Sequence, residues 1–188
     1  HTRAYEALSK FYPELNVELE LIIAADTSDD RLKYAQEVLG YPAVSTNYMD
    51  VLNNPKVDVV SICAPNFLHK EMGVAAAKAG KAFWIEKPVG RGAAETIEVS
   101  EAVEKAGVET TIGFNYRHPP AVEYAKQIIA AGELGRITNV RGSYFADYSA
   151  EPNGALSWRF IREYAGNGVL GDLMGHLVDQ VQYILGPI

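Results

Sequence analysis

Cysteine is the scarcest residue here: Cys63 is the single one among 188 residues. One thiol excludes a disulfide framework and a multi-cysteine zinc site within the chain, and it fits a reducing, cytoplasmic setting. Long apolar runs are also lacking, so no stretch is suited to span a bilayer. The opening His1-Thr2-Arg3-Ala4-Tyr5 has no apolar segment of the signal-peptide kind. Positive charge is short as well. The 17 Lys and Arg stand against 24 Asp and Glu, a net charge of −7, and like charges form no block. A nucleic-acid footprint needs a clustered basic face, so neither nucleic acid nor an anionic membrane surface is an expected partner. There is no internal repeat. The apolar share of 48% and charged share of 22% are those of an ordinary globular protein. The length allows one good core, or one domain plus part of another.

What is present is alternation of strand-like and helix-like segments. Val17 to Ala24 reads as a strand closed by Asp26-Thr27-Ser28. Arg31 to Leu39 reads as a helix, capped by Ser28 or Asp29 and stopped by Gly40. Asp50 to Leu52 makes a short helical turn. Val57 to Cys63 is nearly all apolar, as in a strand buried on both faces. Helix His69–Ala79, strand Ala82–Ile85, helix Ala93–Ala106 and strand Glu109–Phe114 follow. This order predicts a doubly wound parallel sheet of the Rossmann-like α/β class. At Tyr116-Arg117-His118-Pro119-Pro120 the pattern changes. We place a boundary there, with a dinucleotide-binding domain over 1–118 and a second, incomplete domain over 119–188. The second part reads as a helix from Ala121 to Ala131, a strand from Ile137 to Phe145, a loop, and a helix from Asp172 to Leu185.

The polar residues that could carry chemistry stand at strand ends. Trp84-Ile85 runs into Glu86-Lys87-Pro88, and ligands of open α/β sheets bind outside the carboxyl ends of strands. Lysine is mostly a surface residue, so Lys87 reads either as a site residue or as a solvated strand end. Asp26 closes the first strand, where an acid would accept hydrogen bonds from a ribose; it could equally make an Asx-turn or cap a helix. Pro65, Asn66 and His69 lie where the next strand hands over to a helix, a place for cofactor contacts or for an ordinary turn. Asp172, His176 and Asp179 are spaced i, i+4, i+7 and share a helix face. That face reads as an acid–base pair, as a capped helix with a structural histidine, or as a metal site. A neighbouring Lys87 would repel a cation, so no metal is expected. Gly166-Asn167-Gly168-Val169-Leu170-Gly171 matches G-x-G-x-x-G without a preceding strand, and so reads as a flexible turn rather than a dinucleotide fingerprint.

The running order of these motifs resembles the glucose–fructose oxidoreductase/inositol dehydrogenase family (Gfo/Idh/MocA). The resemblance rests on Val57–Ile62, Pro65-Asn66, His69, Ala79-Gly80-Lys81, Glu86-Lys87-Pro88, Gly113-Phe114-Asn115-Tyr116-Arg117, Gly132–Ile137 and Gly171-Asp172, His176, Asp179. It implies a Rossmann-like domain followed by an α/β domain with an open, mostly antiparallel sheet. It implies NAD as cofactor, with NADP disfavoured by Asp26. It implies a sugar, anhydrosugar or cyclitol substrate, with levoglucosan- or inositol-type members as the nearer models, and a homo-oligomer built through the second domain. Lys87, Asp172 and His176 match the catalytic positions, and Tyr116 and Arg117 would join them around substrate. Asp26, Pro65, Asn66, His69, Glu86 and Lys87 match cofactor-contacting positions, and Trp158-Arg159 is similar to a pair that reaches the cofactor from the second domain. Tyr144, Tyr148 and Trp158 could stack on a sugar. A member would carry a strand and a glycine loop before His1, so the chain reads as the middle of an enzyme. Two other activities fit the resemblance: an NAD-dependent glycosidase, and a sugar-sensing regulator without chemistry.

Overall fold

The computed structural model describes residues 1–187. Helix α1 (Thr2–Phe11) opens the chain. Strand β1 (Ile23–Ala25) and helix α2 (Asp29–Glu37) follow, with Ser28 at the N-cap. Strand β2 (Ala43–Ser45) pairs with β1 in parallel, Ile23 opposite Ala43. After the short α3 (Met49–Leu52) come β3 (Val59–Ile62), α4 (Asn66–Lys78), β4 (Ala82–Ile85), α5 (Ala93–Ala106) and β5 (Thr110–Ile112). These three strands form a parallel sheet in the order β3-β4-β5, with Val59 opposite Ala82 and Phe83 opposite Thr110. Parallel strands joined by helices match the expected Rossmann-like class, and parallel register brings β3 and β4 to an end at the same rim.

The core lies between this sheet and the α4–α5 pair. Val60, Ile62, Phe83 and Ile85 meet Ala76, Ala77 and Val99 there. Each of the Val, Ile and Phe side chains removed from water contributes about 1.5–3 kcal/mol. Gly73 of α4 is part of this fit: a Cβ on it would come within 3.1 Å of Val99.

Beyond β5, a 3₁₀ turn (Asn115–Arg117) leads to α6 (Pro120–Ala130), whose first residue is a proline, as helix starts favour. A 3₁₀ turn over Trp158–Phe160 precedes α7 (Arg162–Ala165). A π-helical turn (Leu170–Met174) runs into α8 (Gly175–Leu185).

Four expectations need correction. Residues 17–22 form no strand; β1 is confined to Ile23–Ala25, the residues that pair with β2. Residues 137–145 form no strand, and no antiparallel sheet forms among the described residues of the second part. A strand is held by hydrogen bonds to a neighbour, and residues 119–187 supply no neighbour. Strand β3 is not buried on both faces: Val59 is 61% exposed while Val60 and Ile62 are buried. Its outer edge is unpaired, because β1 and β3 belong to separate sheets. Finally, α4 starts at Asn66, one turn before His69, with Pro65 as its extended N-cap.

Candidate active site

Strand β4 delivers Glu86 and Lys87 to the sheet rim, and the π turn before α8 delivers Asp172 opposite them. Lys87 Nζ lies 2.8 Å from Asp172 Oδ1 and 2.7 Å from the Asp172 carbonyl oxygen. The ammonium therefore ties a strand end of the first half to the helix start of the second. Gly171 of the turn and Gly175 at the start of α8 carry no side chain, and a Cβ at Gly171 would sit 3.7 Å from Pro88. Tyr148 donates from its hydroxyl to the other carboxylate oxygen, Oδ2, at 2.8 Å. Burial alone would push the Asp172 carboxyl up. The hydrogen bonds from Lys87 and Tyr148 and the positive charge of Lys87 outweigh that, holding it below its ordinary value.

His176 follows one turn later and is buried. Tyr144 stacks on its ring with centroids 6.0 Å apart, and Tyr116 meets it edge-on at 4.4 Å. The Tyr144 hydroxyl donates to that of Tyr116 at 2.7 Å. The imidazole Nδ1 is buried without a hydrogen-bond partner among the described residues. Burial first, and then the Lys87 charge, lower its pKa below 6.5; Asp172, Asp179 and Glu86 pull the other way. The imidazole is thus held mainly in its neutral, proton-accepting form near pH 7.

The remaining anticipated residues distribute less simply. Arg117 is paired with Asp179: Nε donates to Asp179 Oδ2 at 2.8 Å, and Nη2 reaches Oδ1. Its guanidinium also lies over the rings of Phe114 and Tyr183. Asp179, one turn past His176 and buried, is spent on this pair. His69 is 1% exposed, and its ring nitrogens lie 2.6 Å from the carbonyl oxygens of Pro88 and Ala64. It ties the rim loops after β3 and β4 together from beneath. Asn66 is buried and donates to the Ala165 carbonyl at 3.4 Å. Glu86 accepts from His1 at 2.8 Å and packs where a Cβ on Gly113 would be. Asp26 forms the Asx-turn to Ser28 N at 2.9 Å, and Arg31 reaches its other oxygen at 3.4 Å. Tyr144, a candidate for stacking on a sugar, stacks on His176. The partners of Asp172 and His176 drawn from the 144–148 stretch had no sequence signal beyond aromatic content, because the loop path decides which ring meets which group.

A cavity of about 530 Å³ opens beside Asp172, lined by Tyr148, Ser157, Arg159 and Phe160 among others. Arg159 stands over the Trp158 ring at 4.5 Å. The two halves also meet behind the site. Phe67 packs on Tyr164 with ring centroids 4.9 Å apart, and Arg91, bonded to Glu95, donates to the Glu163 carbonyl at 2.8 Å. Gly166 has φ +73° and its backbone abuts Arg91, so any side chain there would collide.

A lysine at a parallel-strand end, ion-paired to an acid one turn before a neutral histidine, is the motif order of the sequence now seen in three dimensions. Residues 1–114 match the family model described as oxidoreductase family, NAD-binding Rossmann fold (GFO_IDH_MocA). Residues 122–188 match the GFO/IDH/MocA C-terminal domain. This chain belongs to the Gfo/Idh/MocA oxidoreductase family. Within the family it is 37% identical over 189 residues to levoglucosan dehydrogenase of Pseudarthrobacter phenanthrenivorans, covering 99% of this chain and 48% of that protein. It is 32% identical over 167 residues to scyllo-inositol 2-dehydrogenase (NAD(+)) of Bacillus subtilis, covering 89% of this chain and 46% of that one. A solved levoglucosan dehydrogenase in complex with NADH and levoglucosan superposes with a TM-score of 0.94 at 36% identity, covering 99% of this chain and 50% of that structure. The chain spans about half the length of these Gfo/Idh/MocA relatives.

Proposed function

We propose that the whole protein is a cytoplasmic, homo-oligomeric NAD-dependent dehydrogenase that oxidises a secondary hydroxyl of a sugar, anhydrosugar or cyclitol. Residues 1–118 serve the cofactor and residues from 119 onward serve the substrate. The observation that carries this reading is the Lys87–Asp172 ion pair at the strand rim, with neutral, ring-packed His176 one turn away.

The residues present fit a dinucleotide. Asp26 is partly exposed and keeps carboxylate lone pairs beyond those used by Ser28 and Arg31. It suits ribose hydroxyls. Glu86, Pro65 and Asn66 stand on the rim of the parallel sheet, where such ligands lie. Arg159 lines the cavity, and its guanidinium lies over the Trp158 ring. Bound NAD would supply the hydride acceptor. His176 accepts the hydroxyl proton, for which a neutral imidazole is suited. The Lys87 ammonium stabilises negative charge as it develops on the substrate oxygen. Asp172 orients the substrate through its hydroxyls and holds Lys87 in place. His69 acts as a positioning residue under the rim, and Arg117 positions α8 rather than touching substrate.

The direct test is NAD reduction by the full-length protein across a panel of sugars, anhydrosugars and cyclitols. Net NADH formation with at least one of them is expected. Turnover without net NADH would favour the glycosidase reading, and binding without turnover the regulatory one.

A further inference from the structure

The two oxygens of Asp172 are held in different ways. Oδ1 is held by Lys87, which comes off the end of a core strand whose last residue, Ile85, is fully buried. Oδ2 is held by Tyr148, which belongs to a stretch with no helix or strand and is itself 56% exposed. Apart from this bond, the Tyr148 ring has one aromatic neighbour, Phe160, at a centroid distance of 6.4 Å. Both Tyr148 and Asp172 line the cavity of about 530 Å³, a volume in the range that takes a sugar-sized ring. A phenol offers a single O–H donor. Toward a carboxylate it is the chemical equivalent of a sugar hydroxyl.

We propose that Tyr148 is a specificity-determining residue whose hydroxyl occupies, on Asp172 Oδ2, the place of a substrate hydroxyl and is displaced by it. The proposal rests on the reading of this site as a polyol site. A substrate with two neighbouring hydroxyls presents one to Lys87 and His176 for reaction. It exchanges the other for the Tyr148 phenol on Oδ2. The exchange replaces one charge-assisted hydrogen bond by another, so the second hydroxyl adds little net affinity while the phenol is present. An analogue without that hydroxyl cannot replace the phenol, and its binding does not depend on whether the phenol is there.

The experiment compares the full-length protein with its Tyr148→Phe variant, both loaded with NADH. Calorimetric binding is measured for a cyclitol or sugar substrate and for its analogue deoxygenated at the carbon next to the reacting one. NAD reduction is followed in parallel. Removing the phenol frees Oδ2, so the diol should bind on the order of tenfold more tightly, the scale of a hydrogen bond to a charged group. The deoxy analogue should bind as before, and kcat for the diol should change little while KM falls. Weaker or unchanged diol binding by the variant would overturn the proposal, making Tyr148 a substrate contact or a bystander. Absence of diol binding to either form would overturn it too. Tighter diol binding without NAD reduction would sustain the role of Tyr148 and refute the dehydrogenase reading.

Discussion

In the proposed reaction His176 concentrates the chemistry of the site in one side chain. Burial and the charge of Lys87 hold its pKa below 6.5. The kcat/KM for polyol oxidation should therefore rise with pH to a plateau, with its midpoint below 6.5. A midpoint above that value would show that the acids around the ring outweigh burial and Lys87. The same shift is a stability statement. The unfolded chain holds the His176 proton more tightly than the folded one, so this contribution is full above pH 6.5 and is lost as pH falls through the lower folded value. Asp172, also lowered, adds a second loss below its ordinary value of 3.8. Acid titration followed by circular dichroism should show stability falling in that order. His176→Ala should reduce kcat by roughly 10²–10⁴-fold, the range for a lost general base, with little change in the affinity for NAD. Near-normal kcat with a lower Tm would instead make His176 a structural residue.

Helix α8 carries His176, and its pitch is fixed one turn later by Arg117 and buried Asp179. Arg117→Ala leaves that carboxylate without its cation and should cost about 2–3 kcal/mol in chemical denaturation. The double variant Arg117→Ala/Asp179→Asn should lose less than the sum of the two single variants, because the partners act as one unit. Strict additivity would contradict the clamp. This pair also marks what the sequence could and could not disclose. The i, i+4, i+7 spacing placed Asp172, His176 and Asp179 together, yet each turns to a different partner, because the wide π turn separates Asp172 from the helix proper. Strong periodicity and glycine stops made α2, α5 and α6 legible to within a residue or two. Strand β2, with three residues and no alternation to read, went unanticipated. The segment Ile137–Phe145 has the loose alternation of a strand, but pairing decides strands, and a local pattern carries no information about a partner. Lys87 was legible because a charged pair after Phe83-Trp84-Ile85 conflicts with the burial around it. The roles of Tyr144 and Tyr148 depend on the path of an irregular loop and left no such conflict.

At the scale of the molecule, a parallel-sheet half and a helical half share one seam, pinned by Asn66–Ala165, Phe67–Tyr164 and Arg91–Glu163. The proposed catalytic groups come from both sides of it, so cofactor and substrate preferences should be separately alterable. Asp26 should give the full-length protein a preference for NAD, since a carboxylate repels a 2′-phosphate. Arg31 stands beside it and is mostly exposed, so Asp26→Ser should raise kcat/KM with NADP while leaving the order of preferred sugars unchanged. A wild-type preference for NADP would remove the role given to Asp26. The central claim, that Lys87, Asp172 and His176 serve hydride transfer from a carbinol carbon to NAD, is tested most directly by isotopic transfer. The full-length protein is given NAD and a polyol substrate deuterated at the reacting carbon, and the product nucleotide is analysed by mass spectrometry. Deuterium should appear in the reduced nicotinamide, one per substrate oxidised, and His176→Ala should abolish its accumulation on the same time scale. Consumption of the polyol with the nucleotide left oxidised and free of deuterium would contradict the account.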